Sequence, residues 1–257
     1  MLLIKRRSGA TGNAVSTRLA QSVDLVLSLH PQVFLVFLLE GLDSYRAFGL
    51  RAVLYNFLTD EFALSDEDTG TIIGVQSTMK TIVAFCGSIA TDYFGVRRMA
   101  MISLALSLVG RGMLVVARTR SALYVSLLVI TPIGEALLSA GLYRVALTKL
   151  TTARSRTIAF ACGYAVLNFA GGIANIVIDR LKAASDVVIL GRVYTGTRSF
   201  LASTWLAILA ALLLVVFSLR DLSIVDADDD DDDASAARTS TSSVGIDSPP
   251  SSPALVI

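Results

Sequence analysis

The sequence predicts an all-α, polytopic membrane protein with six transmembrane helices. Apolar residues make up 54% of the chain and charged residues only 17%, whereas soluble domains carry about a quarter charged residues. The mean hydropathy is +0.67. The apolar residues also gather in long segments, and about 20 of them in a helix cross a hydrocarbon core about 30 Å thick. Lipid offers the backbone no hydrogen-bond partner, so each segment is expected to be helical.

Six segments satisfy this length, and together they form one predicted bundle over residues 31–220. In chain order, the predicted spans are 31–58, 69–90, 99–117, 123–147, 157–178 and 200–219. The sixth span is the most apolar, because STWLAILAALLLVVFSL contains no charged residue. The connection over 179–199 is longer and more polar than a tight turn. Its stretch DVVILGRV is expected to form a short strand-like or interfacial piece.

The two ends of the chain differ from the bundle in composition. Residues 1–30 contain several basic residues and are predicted to be a cytoplasmic lead-in to the first span. Residues 221–257 combine the acidic run DADDDDDDA with a Ser/Pro-rich stretch, so we predict a disordered tail. The distribution of lysine and arginine between the connections favours a cytoplasmic position for both termini. The sequence does not select one cellular membrane.

Several function classes are excluded by what the sequence lacks. The formal net charge is only +1, whereas a nucleic-acid-binding protein shows a basic face, so we expect no nucleic-acid partner. The single histidine, His30, and the distant cysteines Cys86 and Cys162 give no metal-ligand spacing. No nucleophile–base pair or phosphate-binding loop is recognisable, so we predict neither an enzyme nor a bound cofactor.

Charged residues inside the spans are the main candidates for function, because charges in lipid are costly and usually face a polar interior. In the first span, Glu40, Asp43 and Arg51 fall on one helical face about 80° wide. Two carboxylates near a guanidinium suit a proton pathway, because their titration is shifted and separated. The alternative interpretation is an ion-pair network that only fixes this helix in the bundle.

Two charged residues of other spans extend this candidate site. Glu135 lies well inside the fourth span and is a candidate ligand for a solute or a proton. Lys80 in the second span is expected to neutralise a carboxylate of the first span. Arg111 in the third span and Arg144 in the fourth are assigned to pairing or to the membrane interface.

The connection between the second and third spans reads GSIATDYFGVRR and is predicted to be a tight cytoplasmic turn. Gly95 allows a sharp bend there, and Asp92 can pair with Arg97 and Arg98. Together with Gly87, these residues resemble the signature of the major facilitator superfamily between the same two helices, with one extra residue before the aspartate. The resemblance implies that Asp92 and the two arginines hold the inward gate closed.

The first span is similar to the proton-dependent oligopeptide transporter branch of that superfamily. In EGLDSYRAFGLRA, Glu40 and Asp43 take the two acidic positions of the branch, while Ser44 stands where the branch has arginine. The rest of this stretch matches the branch at Phe48, Gly49, Arg51 and Ala52. The resemblance implies that this helix lines a proton and solute pathway.

The fifth span carries a second likeness to the same branch. Its stretch GYAVLNFAG matches at Tyr164, Leu167 and Asn168, with Gly163 in place of a phenylalanine. The resemblance covers about 31–178 and implies that Tyr164 and Asn168 supply polar contacts to a solute.

These observations predict a secondary active transporter of a small solute, with proton-coupled symport as the expected mode and the lipid bilayer as its surroundings. In the superfamily, two six-helix halves rock about a site at their interface, and this sequence accounts for an N-terminal half. Three interpretations stay open: part of a longer carrier, a half-carrier that pairs with a second copy, and a non-transporting scaffold or receptor-like protein derived from a transporter. The sequence does not specify the substrate.

Overall fold

The computed structural model describes residues 23, 26–27, 29–139, 141–183, 187–189 and 192–219 of the chain. These residues belong to one compact unit. Most of the predicted segment 1–30 and all of the predicted tail 221–257 lie outside the described residues, so both stay predictions.

Eight helices and one hairpin make up the described chain. The helices are α1 Pro31–Asn56, α2 Asp66–Phe94, α3 Val96–Val116, α4 Arg120–Tyr124, α5 Thr131–Ser139, α6 Leu142–Leu150, α7 Ala153–Ala183 and α8 Gly196–Ser218. Two π-helical segments extend α1 and join α4 to α5; they are Phe57–Glu61 and Val125–Ile130. The strands β1 Val187–Ile189 and β2 Arg192–Tyr194 pair antiparallel, with Val188 opposite Val193. The helical fold is therefore as predicted, with one short hairpin in the stretch expected to be strand-like.

Five helical stretches of the described residues are long and apolar enough to cross a membrane. They are Asp66–Thr91, Val96–Val116, Arg120–Leu150, Ala153–Ala183 and Gly196–Ser218. Helix α1 occupies the predicted first span, but its charged residues keep it outside this set. The structure thus supports a multi-pass integral membrane protein, while the count of six crossings stays a prediction.

The start of α2 follows from its capping residue. Ser65 precedes the helix, and its side-chain oxygen accepts a hydrogen bond from the backbone N–H of Asp68 at 3.1 Å. The first turn holds only acidic residues before Thr69, and negative charge is favourable at a helix N-terminus. The helix therefore begins three residues before the predicted span.

Close helix packing in the bundle depends on small residues. A Cβ atom on Gly134 of α5 would lie 2.6 Å from the backbone nitrogen of Ser107 in α3. A Cβ atom on Gly49 of α1 would overlap the ring of Phe200 in α8. Glycine at these two positions lets the helices approach, and one side of α1, which includes Leu50 and Val53, is buried.

Polar contacts tie the helices together at one end of the bundle. The amide nitrogen of Gln32, at the start of α1, donates to the carbonyl of Ser218 at 3.3 Å. Arg97, at the start of α3, donates from Nη2 to the carbonyl of Val216 at 3.1 Å. The first residues of α1 and the last residues of α8 therefore lie at the same end.

Candidate functional site

Five charged side chains from four helical elements meet in the interior of the bundle. We call Asp43, Arg46, Lys80, Arg111 and Glu135 the Glu135 cluster. The Oε1 atom of Glu135 lies 2.9 Å from Arg111 Nη2 and 3.1 Å from Arg46 Nη1. Its Oε2 atom lies 2.5 Å from Lys80 Nζ. One carboxylate of α5 is thus held by cations of α1, α2 and α3.

The second carboxylate of the cluster is held within α1. Asp43 and Arg46 are three residues apart, which places them on one helical face. Arg46 Nε donates a hydrogen bond to Asp43 Oδ1 at 2.6 Å, and a second guanidinium nitrogen pairs with the same oxygen. Arg46 therefore bridges the carboxylates of Asp43 and Glu135.

The members of the cluster differ in their access to the surroundings. The exposed fraction of the side chain is 1% for Arg111, 2% for Arg46, 8% for Glu135, 12% for Asp43 and 23% for Lys80. Buried charges are stable only when they are paired, because desolvation costs several kcal/mol per ion. With every group ionised, three cations face two carboxylates, so one positive charge is left over.

Glycine at position 134 explains why Arg111 reaches Glu135. The close approach of α3 and α5 at Gly134 sets the two charged residues side by side, each one turn or less from the contact. The hydroxyl of Ser103 also donates to the carbonyl of Gly134. The ion pair is thus a consequence of backbone packing between two membrane-spanning segments.

Glu40 lies near the cluster but turns toward α7. A Cβ atom on Gly163 would lie 2.8 Å from Glu40 Oε2, so glycine at this position leaves room for the carboxylate. The Oε2 atom is buried and has no hydrogen-bond partner among the described residues. The two acidic residues of the predicted stripe therefore differ: Asp43 is ion-paired, whereas the buried oxygen of Glu40 has no hydrogen bond within the described part of the chain.

The remaining predicted pathway residues lie on the surface of the bundle. Arg51 is exposed on α1. Tyr164 is 69% exposed, and Asn168 is also exposed and donates from Nδ2 to the carbonyl of Tyr164 at 2.7 Å. The structure therefore brings Asp43, Lys80 and Glu135 together. Arg51, Tyr164 and Asn168 lie apart from this group.

Arg46 and Arg111 are the two cluster residues that the sequence reasoning left out of the site. The spacing of Asp43 and Arg46 gave a usable signal, because residues three apart share a helical face. Arg111 lies between two glycines of α3, five residues before its end at Val116, and a cation inside an apolar span indicates a buried partner.

The predicted gating turn joins α2 to α3. Gly95 separates the two helices and has a φ of 84°, a conformation that favours glycine. Its N–H donates to the carbonyl of Thr91 at 3.0 Å, and the hydroxyl of Thr91 donates to the carbonyl of Gly87 at 2.8 Å. The sharp bend expected at Gly95 is present.

The expected latch of this turn is only partly described. Arg97 contacts the end of α8 through the carbonyl of Val216, and Arg98 is exposed. The side chain of Asp92 lies outside the described part of the structure, so its pairing with either arginine stays a prediction. Among the described residues, no group of three or more His, Cys, Asp or Glu is placed to hold a metal ion.

Solved structures with the same fold are peptide transporters. The chain is similar to peptide transporter POT in complex with sulfate, with a TM-score of 0.64 and 16% identity, covering 83% of this chain and 44% of that chain. A structure on substrate recognition in proton dependent oligopeptide transporters gives a TM-score of 0.63 and 15% identity, with 82% of this chain and 46% of that chain covered. Tetrameric PepTSo2 gives a TM-score of 0.62 and 16% identity, with 83% and 47% covered.

These likenesses establish the fold. The chain spans less than half the length of each of the three solved structures, and its helices adopt the arrangement of about half of those structures. No family model matches the sequence, and no curated protein matches it.

Proposed function

We propose that this chain forms one six-helix half of a secondary transporter that moves a small solute together with protons across a membrane. The observation that carries this proposal is the Glu135 cluster, which places five charged side chains inside a bundle of apolar helices. Such charges are costly in lipid and mark ion or solute pathways. The likeness to solved transporters supports the same interpretation.

Glu40 is the residue that we assign to proton uptake. Protonating Asp43 or Glu135 would break an ion pair with a buried guanidinium. Glu40 Oε2 has no hydrogen-bond partner among the described residues, so a proton can bind there without breaking such a pair. The carboxylate also lies at the contact between α1 and α7, where its charge affects helix packing. Asp43 and Glu135 then serve to hold α1 in place.

A second six-helix half is the partner that we assign to the exposed face of α2. Ser77, Thr78 and Thr81 are exposed there beside Lys80, and a Cβ atom on Gly74 would meet no atom within 4 Å. Small and hydroxyl-bearing residues let two helices approach closely in a membrane. The second half belongs either to the same longer polypeptide or to another copy of this chain.

The other residues predicted from the sequence are also assigned roles in the proposed transporter. Arg51, Tyr164 and Asn168 are exposed on the bundle, where they can contact a solute held between two halves. Asp92, Arg97 and Arg98 latch the turn at Gly95 during closure. Both termini face the cytoplasm, which agrees with the contact between Gln32 and Ser218 at one end of the bundle.

The proposal is tested with the full chain reconstituted in vesicles. The probe is dialanine, with an inward proton gradient and a pH-sensitive dye inside the vesicles. We expect dialanine entry and acidification together, and we expect Glu40→Gln to lose most of both, because the glutamine amide cannot take up a proton. The control is Glu67→Gln, which changes an exposed carboxylate at the start of α2.

Two results would contradict the proposal. If Glu40→Gln transports as well as the wild type, Glu40 is not the proton-binding group. If the wild-type chain moves neither dialanine nor protons, alone or with a second half supplied, the scaffold interpretation replaces the carrier. The fully paired state of Glu135 is the observation that favours this second candidate, because ion pairs of this kind also serve to fix helices.

A further inference from the structure

We infer that Lys80 is a binding site for an anionic oxygen group, either a carboxylate or a phosphate. The bound group replaces Glu135 as the ion-pair partner of Lys80. The inference rests on the proposed function in one respect, since it names the chemical class of solute that this half would recognise.

Lys80 lies at the midpoint of α2. It is 14 residues from Asp66 and 14 residues from Phe94, the two ends of that helix, which corresponds to about 21 Å on either side. Lipid headgroups are confined to the membrane surfaces about 15 Å from the centre. An anion that reaches Lys80 is therefore carried by a solute, and a lipid phosphate is too far away.

Of the three ion pairs of Glu135, the one with Lys80 is the one that can break most readily. When Lys80 leaves, Glu135 Oε1 keeps Arg111 Nη2 at 2.9 Å and Arg46 Nη1 at 3.1 Å. Arg46 and Arg111 are almost fully buried, whereas the Lys80 side chain is 23% exposed. Lysine is also a flexible point charge with rotatable donors. Exchange of the partner of Lys80 thus leaves no carboxylate of the cluster unpaired.

The charge balance around Lys80 favours an added anion. The carboxylates that face Lys80 are Glu135, in direct contact, and Asp43, which is already paired with Arg46. Arg46 and Arg111 add two positive charges to the same cluster. The Glu40 carboxylate is turned toward Gly163 on α7. The cluster therefore holds one more positive than negative charge, and a bound anion balances it.

Unpaired donors near Lys80 provide a second observation. Gln76 lies four residues before Lys80 on the same face of α2 and is 3% exposed. Its amide nitrogen is buried and has no partner among the described residues, and neither have Nε and Nη1 of Arg111. Buried donors are nearly always hydrogen-bonded in folded proteins. An anionic oxygen is the acceptor that suits a site with several free N–H groups and surplus positive charge.

The first experiment measures anion binding without transport. The full chain in nanodiscs is melted in sodium acetate, sodium phosphate or sodium chloride of equal ionic strength. Binding to the folded state raises the melting temperature with anion concentration, so we expect acetate or phosphate to give a saturating rise above chloride. Lys80→Gln is expected to abolish this rise and Lys80→Arg to retain part of it. Lys182→Gln, at an exposed position on α7, is the matched control.

The second experiment needs no variant, and so it remains decisive if Lys80→Gln does not fold. Lys80 of the wild-type chain is labelled with an amine-reactive reagent and quantified by peptide mass spectrometry. At an anion concentration twice the dissociation constant, bound anion slows labelling about threefold. We expect this protection at Lys80 and none at Lys182.

Equal labelling of Lys80 with and without acetate or phosphate, or an unchanged anion response in Lys80→Gln, would overturn the inference. Protection of Lys80 in a chain that moves no dialanine would leave the anion site standing and would count against the carrier. Transport of dialanine without protection of Lys80 would support the carrier and overturn the anion site.

Discussion

Gly163 and Glu40 face each other across the contact between α1 and α7. Peptide transporters of the branch that the sequence resembles carry phenylalanine where this chain has Gly163, and arginine where it has Ser44. The structure shows which contacts accompany these two differences in sequence. Gly163 leaves the space that the Glu40 carboxylate occupies, and Arg46, two residues after Ser44, supplies the guanidinium that pairs with Asp43.

Replacing Gly163 with alanine is expected to destabilise the folded chain by about 1 kcal/mol, the low end of the cost of overpacking, because the atom that the new methyl group meets is the end of a flexible side chain. A Cβ atom there would lie 2.8 Å from Glu40 Oε2. The measurement is denaturant unfolding of the purified chain in detergent. Adding Glu40→Asp, which shortens the side chain by one methylene group, should recover most of the loss.

Gly172→Ala is the matched control on the same helix. A Cβ atom at Gly172 would meet nothing within 4 Å, and alanine has the higher helix propensity, so no loss of stability is expected. If Gly163→Ala and Gly172→Ala unfold alike, or if Glu40→Asp brings no recovery, the carboxylate is not held at Gly163.

The candidate site could be predicted only in part at the level of residues. Depth in an apolar span identified Glu135, and the acidic positions of α1 identified Asp43. The cations that hold them come from three helices, and which of them meet depends on packing at Gly134, which no spacing along the chain specifies. Arg51 and Asp43 differ for the same reason. They share a helical face, but the sequence does not show which part of that face a neighbouring helix covers.

At the scale of elements, Arg198 ties together the ends of three helices. It pairs through Nε with Glu61 Oε2 at 2.5 Å, and its other nitrogens donate to the carbonyls of Val115 and Ala117, each at 2.8 Å. The guanidinium carbon lies 5.5 Å from the centre of the Phe57 ring. Hydropathy predicted where these helices run but could not predict this connection, because the π-helical segment after α1 turns Glu61 toward α8.

Arg198→Ala is expected to lower the free energy of unfolding by about 2–3 kcal/mol, because it leaves Glu61 and two helix-end carbonyls without their charged donor. Arg198→Lys should recover only part of this, since lysine cannot repeat the planar fork of the guanidinium. Unfolding in detergent, followed by circular dichroism, measures the effect. Arg180→Ala, at an exposed position on α7, should stay within about 0.5 kcal/mol of the wild type. Equal effects at the two arginines would show that the contacts of Arg198 carry no stability.

At the scale of the whole molecule, the apolar segments predicted the helical course of the chain, and five of the six predicted spans match helices of sufficient length and apolarity. The first span is the exception because it carries four charged residues, and Arg46 reaches Glu135 only in the assembled bundle. The hairpin between α7 and α8 was expected only as a short strand-like or interfacial piece, since eight residues of mixed character do not fix a pairing. We therefore expect the packing of α1 to depend on the formation of the Glu135 cluster.

Removal of the central carboxylate tests this link. Glu135→Gln leaves Arg46, Arg111 and Lys80 with one carboxylate among them, and breaking a buried pair in this way costs about 3–5 kcal/mol. We therefore expect a strongly destabilised chain in detergent unfolding. The double variant Glu135→Gln with Arg111→Met removes one of the unpaired cations together with the carboxylate, and it should be more stable than the single variant. Glu67→Gln, which changes an exposed carboxylate of α2, serves as the control. If Glu135→Gln unfolds like that control, the cluster does not stabilise the bundle. Its charges then have a role in solute binding alone.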